Sequence, residues 1–268
     1  MANQLRVAVN GAAGRMGQRV TALVHQAEDM RLAAALEGDG SPALGRDVGE
    51  LCGLGSIGMV VATELGDGVD VVIDFSTPEG LTRIAAICGE RQIPLVAATT
   101  GLSPEQVETV QSAAHTTPLV MAPSMSLGVN IAMKLVQRAS QAMKAVPNGV
   151  DVEILERHHR FKEDAPSGTA LHFGKLVADI MGQTKHVHGR DGRVGQRTAD
   201  EIGYHAIRTG DNVGEHTIIF GMLGETLELT VRSHTRDAYA YGALAAARFV
   251  VTQGAGISGM FDVLGRND

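Results

Sequence analysis

The chain has 268 residues, of which 44% are hydrophobic and only 3% aromatic, and this length suits one large domain or two of ordinary size. A formal net charge of −7, with no run rich in lysine or arginine, argues against a nucleic-acid-binding protein. Because no apolar segment reaches the length of a membrane helix and the chain starts without a signal segment, we expect a cytoplasmic protein with no membrane partner.

The first half alternates short apolar strands with helices. Strands are predicted at residues 5–11, 31–38, 69–76, 93–101 and 118–124. Helices are predicted up to His25, from Pro78 and over 103–115. This alternation is typical of a parallel sheet covered on both faces, which binds ligands at the carboxyl ends of its strands. We therefore predict an α/β fold with a Rossmann-like, doubly wound parallel sheet.

A glycine-rich turn, GAAGRMG, follows the first strand. Glycines at this spacing let the backbone approach a pyrophosphate, and the next helix offers free N–H groups. Glu37 ends the second strand, where a carboxylate can accept hydrogen bonds from an adenosine ribose. A tight turn without a ligand is the alternative. We favour a dinucleotide-binding site formed by Gly11, Ala12, Ala13, Gly14, Arg15, Met16 and Glu37.

The residues after Glu37 bear on the choice of cofactor. Gly38 and Asp39 follow it, so no arginine or lysine stands directly beside Glu37 to bind a 2′-phosphate. This favours NADH over NADPH. Because Arg15 remains a candidate phosphate partner, the sequence leaves both cofactors open.

The second half has a different pattern. A strand is predicted at 150–159, between helices at 130–146 and 167–182. The later segments HAIRTG, GEHTIIFG and ETLELTVRSHTR are predicted to be antiparallel strands joined by short turns. A last helix, from residue 237, is expected to return to the first domain. This pattern predicts a second domain of α+β type.

Two domains follow from this change of pattern. We predict that residues 1–126 and 239–268 form a dinucleotide-binding domain. Residues 127–238 are predicted to bind the substrate and to mediate oligomerisation.

Residues 156–170, ERHHRFKEDAPSGTA, concentrate proton carriers and anion-binding groups. Strand alternation predicts that Glu156 and His158 share the apolar face, so that His158 points into a cleft. Ser167, Gly168 and Thr169 stand at the start of the next helix, where free N–H groups can hold a carboxylate. Together with a nicotinamide domain, this segment suggests reduction of an unsaturated substrate that carries a carboxylate.

The chain resembles the dihydrodipicolinate reductase family over nearly its whole length. The resemblance rests on VAVNGAAGRMG, IDFSTPEG, ATTG, APSMSLGVN, ERHHRFKEDAPSGTA and RTGDNVGEHT. It implies a homotetramer that reduces 4-hydroxy-tetrahydrodipicolinate in the diaminopimelate–lysine pathway with NADH or NADPH. In the implied reaction, this cyclic dicarboxylate loses water to give a conjugated imine, and hydride adds at ring C4. A general acid then supplies the compensating proton.

The resemblance also implies roles for single residues. His158 and Lys162 match the family's catalytic pair, and His159, Gly168 and Thr169 match substrate-binding positions. Further cofactor positions are Ala98, Thr99, Thr100, Ala122, Pro123, Ser124 and Met125. Ala98 stands where the family has glycine, and the segment from Pro123 differs from the common Ala-Asn-Phe. Arg236 is a candidate carboxylate partner, with an ordinary surface arginine as the alternative.

Two other functions stay open. A homoserine- or semialdehyde-type dehydrogenase would share the two-domain plan. Phosphorylating semialdehyde dehydrogenases need a nucleophilic cysteine, but Cys88 falls within a predicted helix and Cys52 near a glycine-rich loop. A redox sensor that binds a dinucleotide would not need the histidine–lysine segment. No metal is expected, because the cysteines lie far apart and His186 and His188 fall in a predicted surface loop.

Overall fold

The structure is a computed structural model that describes residues 4–265. It divides the chain into two compact units. The first unit takes the chain up to Leu127 and again from Arg236 onward, and the second comprises Gly128–Thr235. The first unit is therefore built from two separate stretches of sequence.

A seven-stranded parallel sheet forms the first unit, and elements are numbered in chain order throughout the chain. Its strands are β1 Leu5–Asn10, β2 Met30–Leu36, β3 Val61–Ala62, β4 Val71–Asp74, β5 Leu95–Ala97, β6 Pro118–Met121 and β12 Gly256–Ser258. Their order in the sheet is β12-β6-β5-β4-β1-β2-β3, and all neighbouring pairs are parallel. The predicted doubly wound parallel sheet is confirmed.

Helices connect these strands. They are α1 Arg15–Gln26, α2 Val48–Leu51, α3 Pro78–Arg91, α4 Pro104–Ser112, α7 Asp237–Val250 and α8 Met260–Val263, with a 3₁₀ turn at Ala113–His115. The starts of α3 and α4, which the sequence predicted, are fixed by side chains that cap the first turn of each helix. Thr77 caps α3 by accepting a hydrogen bond from Gly80 N (3.2 Å), and Ser103 and Gln106 form a reciprocal capping box at α4. Proline occupies the first turn of both helices, where no N–H is needed.

The core of the first unit lies on both faces of the sheet. Alternate residues of β1 point to opposite sides, so that Val7 and Val9 belong to one buried cluster and Ala8 belongs to the other. The first cluster includes apolar residues of α1 and α7, and the second includes residues of α3 and α4. Burial on both faces explains why these strands are continuous apolar runs in the sequence.

The second unit contains a five-stranded mixed sheet and two long helices. Its strands are β7 Asp151–His158, β8 Lys185–His188, β9 Glu201–Arg208, β10 Gly214–Met222 and β11 Glu225–Ser233. Its helices are α5, which spans Leu127–Met143 from the end of the first unit, and α6 Gly168–Met181. The strand order is β11-β10-β7-β9-β8, with β7–β9 and β8–β9 parallel and the other pairs antiparallel.

Two strand predictions are wrong in this unit. The HAIRTG segment does not pair with GEHTIIFG, because β7 lies between β9 and β10 and pairs with β9 in parallel. Side-chain alternation shows which face of a strand is buried but not which strand lies beside it. The HVH segment, predicted as a loop, forms the edge strand β8. Its residues are mostly exposed, so the sequence carries no apolar pattern there.

Gly242 offers a test of packing in the first unit. A Cβ atom on this α7 residue would lie 1.7 Å from the backbone oxygen of Met125. We expect Gly242→Ala to lower the free energy of unfolding by about 1–2 kcal/mol, because a 1.7 Å contact with backbone puts the overpacking cost near the upper end of about 1–3 kcal/mol and helix propensity returns at most about 1 kcal/mol. Gly254→Ala is the control, since no atom lies within 4 Å of its added Cβ. Equal unfolding midpoints for the two variants in calorimetry would contradict the packing described.

Candidate active site

The turn between β1 and α1 requires glycine at Gly11, and the first turn of α1 requires glycine at Gly17 where it packs against that turn. Gly11 has φ +78°, and a Cβ there would lie 2.6 Å from the backbone oxygen of Phe75. A Cβ on Gly17 would lie 1.9 Å from the oxygen of Gly11. Gly14 is the N-cap of α1, and among the described residues no side chain caps this helix. The start of α1 therefore offers backbone N–H groups to an anion.

Glu37 lies beside this turn. Its Oε1 accepts a hydrogen bond from Ala13 N (2.8 Å), and the preceding residue, Leu36, accepts bonds from Gly11 N and Ala12 N through its backbone oxygen. Arg15 is exposed at the first position of α1. An uncapped helix end, a turn made only of glycine and alanine, and a fixed carboxylate fit the pyrophosphate and ribose of a dinucleotide.

Asp74, which the sequence analysis missed, connects the ends of three strands. It ends β4 and is fully buried, and it accepts hydrogen bonds from Asn10 Nδ2 (2.6 Å), Ser76 Oγ (2.7 Å) and Thr99 Oγ1 (2.5 Å). Burial raises the pKa of Asp74 above its ordinary value, although these hydrogen bonds favour the charged form. The Thr99 hydroxyl is thereby committed to Asp74. An acidic residue at the end of an apolar strand was the available sequence signal.

The remaining predicted cofactor residues follow β5 and β6. Ala98 N donates to the backbone oxygen of Asp74 (3.1 Å), and Thr100 is exposed. After β6, Ala122 and Ser124 are half-buried, Pro123 is exposed and Met125 is buried. Since β1, β4, β5 and β6 are parallel neighbours, these residues lie at the same edge of the sheet as the glycine turn.

In the second unit, Glu156 is the centre of the predicted catalytic segment. Its side chain is fully buried and forms a two-point ion pair with Arg208, with Nη2–Oε1 at 2.7 Å and Nη1–Oε2 at 2.8 Å. Oε2 also lies 2.5 Å from His158 Nδ1, and Oε1 accepts from Ser167 N (3.1 Å). Burial alone would raise the pKa of Glu156, but hydrogen bonds from Arg208 and His158 hold it below its ordinary value. Glu156 is therefore an ionised acceptor.

His158 is buried at the end of β7, on the apolar face, as alternation predicted. Because a carboxylate can only accept, the Nδ1 atom that faces Glu156 carries a proton. Burial lowers the pKa of His158 below its ordinary value, and the opposite effect of Glu156 does not restore it. At neutral pH, His158 is thus an uncharged imidazole whose Nε2 has a free lone pair.

A second buried histidine, His216, packs against the first. Its ring centroid lies 5.2 Å from that of His158 in an edge-on arrangement, and its Nε2 is 3.1 Å from Ser167 Oγ. Burial lowers the pKa of His216 to about 4. The Nε2 atom of this neutral ring is hydrogen-bonded to the Ser167 hydroxyl, whose oxygen accepts from Ala170 N and caps α6.

Lys162 and His159 follow β7. The Nζ atom of Lys162 lies 2.7 Å from Asp164 Oδ1, and this contact holds the pKa of Asp164 below its ordinary value. His159 is half-buried, and its Nδ1 has no hydrogen-bond partner in the described part of the chain. The Lys162 ammonium is therefore partly exposed beside a carboxylate, whereas Nδ1 of His159 is a buried nitrogen.

One prediction for the start of α6 is wrong. The N–H of Ser167 was expected to be free for a substrate carboxylate, but it donates to Glu156. Gly168 and Thr169 begin the helix body, exposed and half-buried respectively, and within residues 4–265 their N–H groups have no protein acceptor. Arg236 is exposed at the N-cap of α7 and belongs to the first unit. The other predicted substrate residues belong to the second.

Glu156, Arg208 and His216 were not among the predicted site residues. A charged residue on the apolar face of a strand was a signal for Glu156. Arg208 and His216 lie in the segment RTGDNVGEHT, which contributes to the family resemblance, but no spacing assigned them a role, and strand pairing brings them to β7. In the part of the chain that the structure describes, no group of three or more acidic, histidine or cysteine side chains is arranged to hold a metal ion. None of the described helices is long and apolar enough to cross a membrane.

Comparison with known proteins gives matches along nearly the whole chain. The family models "Dihydrodipicolinate reductase, N-terminus" and "Dihydrodipicolinate reductase, C-terminus" match residues 5–125 and 128–264. A 4-hydroxy-tetrahydrodipicolinate reductase of Rhodopirellula baltica is 52% identical, over 98% of this chain and 97% of its own. One of Nitrosomonas eutropha is 44% identical, over 97% and 98%. The solved structure of dipicolinate-bound dihydrodipicolinate reductase from Paenisporosarcina sp. TG-14 has a TM-score of 0.77 at 25% identity and covers 97% of this chain and 98% of that one.

The buried His216 makes the stability of the second unit dependent on pH. Its pKa is about 4 in the folded protein, against an ordinary value of about 6.5, so unfolding takes up a proton between these pH values. Stability should fall as pH drops from about 6.5 to about 4, by roughly 3 kcal/mol from this group. We expect His216→Gln to remove most of this loss in urea unfolding at pH 7 and pH 4.5. The exposed His234→Gln is the control, and an unchanged loss in His216→Gln would contradict the burial argument.

Proposed function

The chain belongs to the dihydrodipicolinate reductase family, and from this membership we propose how its residues divide the family's reaction between them. The protein is an NAD(P)H-dependent oxidoreductase with the activity of a 4-hydroxy-tetrahydrodipicolinate reductase, in diaminopimelate–lysine biosynthesis. The observation that carries this conclusion is the match of both family models together with 52% identity over almost the full length.

The alternative functions are not favoured. Burial raises the pKa of Cys88 to about 12 and also raises the pKa of Cys52, so neither thiol has the thiolate character of a catalytic nucleophile. A dinucleotide sensor would have no use for the buried Glu156, His158 and Arg208 beside an open helix end. We therefore set aside the semialdehyde dehydrogenase and the sensor.

The cofactor is proposed to bind to the first unit. The N–H groups of Arg15 and Met16 would hold its pyrophosphate, in the turn that Gly14 closes by donating its own N–H to the backbone oxygen of Gly11 (3.1 Å). Glu37, fixed by Ala13 N, would accept from its ribose. Gly11 and Ala12 have little or no side chain, so that the backbone can approach the pyrophosphate closely. Segments Ala98–Thr100 and Ala122–Met125, at the same sheet edge, would line the nicotinamide, with Thr99 contributing backbone atoms because Asp74 holds its hydroxyl. When bound, the reduced nicotinamide supplies the hydride.

We propose a preference for NADH. Glu37 is followed by Gly38 and the exposed Asp39, and the cation that lies near Asp39 is Arg83, at 3.6 Å. Arg83 also donates to the backbone oxygen of Thr63 (2.7 Å). Two carboxylates next to the ribose position oppose a 2′-phosphate, and the nearby arginine is already engaged.

The substrate is proposed to bind to the second unit. The Paenisporosarcina relative binds dipicolinate, a flat dicarboxylate. In this chain the unpaired N–H groups of Gly168 and Thr169 suit one carboxylate, at the positive end of the α6 dipole. Ser167 supports them indirectly as the N-cap, and the half-buried His159 stays a candidate substrate contact. Arg236, which is exposed and belongs to the first unit, stays a candidate carboxylate partner.

Proton delivery is assigned to Lys162 and His158. Hydride addition to the conjugated imine puts an electron pair on the ring nitrogen, which must take up one proton. The Lys162 ammonium donates this proton and offsets the charge of the dicarboxylate. His158, with Nδ1 occupied by Glu156, exchanges protons through Nε2.

Self-association is proposed through the sheet of the second unit. The strand β11 is nine residues long and pairs with a neighbour on one side only. Among the described residues of this strand, none is buried. A long edge strand without cover is a surface on which other copies of the chain can pack. The homotetramer stays a prediction from the resemblance, and the cytoplasmic setting stays a prediction from the sequence.

The activity is tested in a coupled assay, in which a second enzyme generates the substrate in the reaction mixture. A dihydrodipicolinate synthase supplies it from pyruvate and aspartate semialdehyde, and the oxidation of NADH and NADPH is followed separately. We expect oxidation that depends on the synthase. Folded, cofactor-bound protein that oxidises neither cofactor would contradict the assignment.

Loss of the proposed proton donors should reduce turnover but not cofactor binding. We expect Lys162→Ala and His158→Ala to lower kcat by about 10²–10⁴, the usual contribution of one general acid–base group. Lys175→Ala is the matched control, because Lys175 also pairs with an aspartate, Asp179, but on the exposed face of α6. NADH affinity is measured by quenching of nicotinamide fluorescence. Full activity of both variants would overturn their roles.

Adding a cationic side chain beside Glu37 should raise the affinity for NADPH relative to NADH. Gly38 has no atom within 4 Å of an added Cβ, so Gly38→Arg meets no steric obstacle. A charge-assisted bond to the 2′-phosphate is worth about 1.5–3 kcal/mol, and we expect a roughly 10- to 100-fold gain in NADPH affinity over NADH by calorimetry. Gly254→Arg adds the same charge at another open glycine. An equal change in both variants would mean that only net charge matters.

A further inference from the structure

Glu156 is an ionised carboxylate in a place where such groups are rare. Its side chain has 0% exposure, and it stands on the apolar face of β7. A buried carboxylate is tolerated only when charge and hydrogen bonds compensate for lost water. Glu156 meets this condition with four contacts, two from Arg208 and one each from His158 and Ser167. The fold therefore maintains one oriented anion directly behind the proposed catalytic segment.

Arg208 fixes the orientation of this anion. In the parallel pairing of β7 with β9, Arg208 is the register partner of His158, so its guanidinium reaches Glu156 on the same face. The two parallel N–H···O bonds set the plane of the carboxylate. Arg208 Nη2 also donates to the backbone oxygen of Asp164 (2.6 Å), which anchors the guanidinium itself. Neither group can rotate without breaking several bonds.

This fixed oxygen determines which His158 nitrogen carries the proton. Oε2 of Glu156 already accepts from Arg208 Nη1, and it presents only acceptor character to His158 Nδ1 at 2.5 Å. The neutral imidazole must then be the Nδ1–H form. Ring rotation is further limited by the edge-on contact with His216. Nε2 is left as the single site for proton exchange.

We propose that Glu156, oriented by Arg208, is a positioning residue that holds His158 in the Nδ1–H tautomer required for turnover. This inference rests on the proposed function, because it assumes that His158 takes part in proton transfer. A purely structural ion pair is the alternative, and it would not depend on the tautomer of the histidine.

The Glu156→Gln variant separates these two explanations. Glutamine has nearly the same shape, and its oxygen is best placed at Oε1, where Arg208 and Ser167 N both donate. Its NH₂ group then faces His158 Nδ1, which must become an acceptor, so the ring switches to the Nε2–H form. The same NH₂ group can no longer accept from Arg208 Nη1, a loss that also occurs at Arg190 Nη1 when Glu153 is changed to glutamine. The bond that supports α6 is kept. A change in turnover thus reports the tautomer and not collapse of the helix end.

A matched control lies on the same strand. Glu153 also forms a two-point ion pair with an arginine, Arg190 (2.8 and 3.0 Å), and contacts a histidine, His205 (2.8 Å). It points to the opposite face of β7 from Glu156. Glu153→Gln therefore makes the same chemical change in the same kind of cluster, away from His158.

The experiment measures three quantities in wild type, Glu156→Gln and Glu153→Gln. The tautomer of His158 is determined from ¹⁵N chemical shifts of its ring at neutral pH, assigned with His158→Ala. Turnover is measured in the synthase-coupled assay, and binding of pyridine-2,6-dicarboxylate by calorimetry. Glu156→Gln is also combined with His158→Ala.

We expect wild type and Glu153→Gln to show the Nδ1–H form and equal kcat. Glu156→Gln should show the Nε2–H form and a kcat lower by about 10- to 100-fold, the range found for groups that orient a histidine at metal sites. Dicarboxylate affinity should stay within about threefold. In the His158→Ala background, Glu156→Gln should change kcat by less than about twofold, as expected of two residues that act as one unit.

Several outcomes would overturn the proposal. An Nε2–H tautomer in wild type would do so without any variant, which keeps the test valid if Glu156→Gln fails to fold. An unchanged kcat in a folded Glu156→Gln protein, or an equal loss in wild-type and His158→Ala backgrounds, would do the same. Full activity of His158→Ala, by contrast, would mean that the assigned role of His158 itself is wrong.

Discussion

The second unit depends on the burial of one charge, that of Glu156. An anion on the apolar face of β7 is stable only if a cation reaches it, so β9 must lie beside β7 in parallel and in the register that aligns Arg208 with His158. The same carboxylate accepts hydrogen bonds from the N–H of Ser167 and from Nδ1 of His158. One electrostatic requirement thus links strand order, the start of α6 and the state of a histidine.

The first unit meets a comparable requirement differently. Asp74 is also a fully buried carboxylate at a strand end, but its donors are the neutral groups of Asn10, Ser76 and Thr99. Without a cation, burial dominates and the pKa of Asp74 rises, whereas Arg208 helps keep the pKa of Glu156 low. In both units a buried carboxylate fixes loops that must stay in place. Of these two carboxylates, Glu156 also contacts a residue with a proposed role in proton transfer, His158.

Much of the fold could be predicted because its signals are local. The caps Thr77 and Ser103 lie within a few residues of the helices that they start, and β1 and β4 are short continuous apolar runs. The glycine turn and the histidine–lysine segment were found in the same way. The place of β9 could not be predicted, since strand neighbours are chosen by contacts between distant segments. Arg208 was missed for this reason, being 52 residues from Glu156 in the sequence.

We propose that the second unit binds a dicarboxylate at the start of α6, where Lys162 and His158 face it. A crystal structure of the protein with NADH and pyridine-2,6-dicarboxylate would locate both ligands. We expect one carboxylate within hydrogen-bond distance of Gly168 N and Thr169 N, with Lys162 Nζ and His158 Nε2 facing the ligand and His158 Nδ1 still on Glu156. A dicarboxylate bound elsewhere, with those two N–H groups left to solvent, would contradict it.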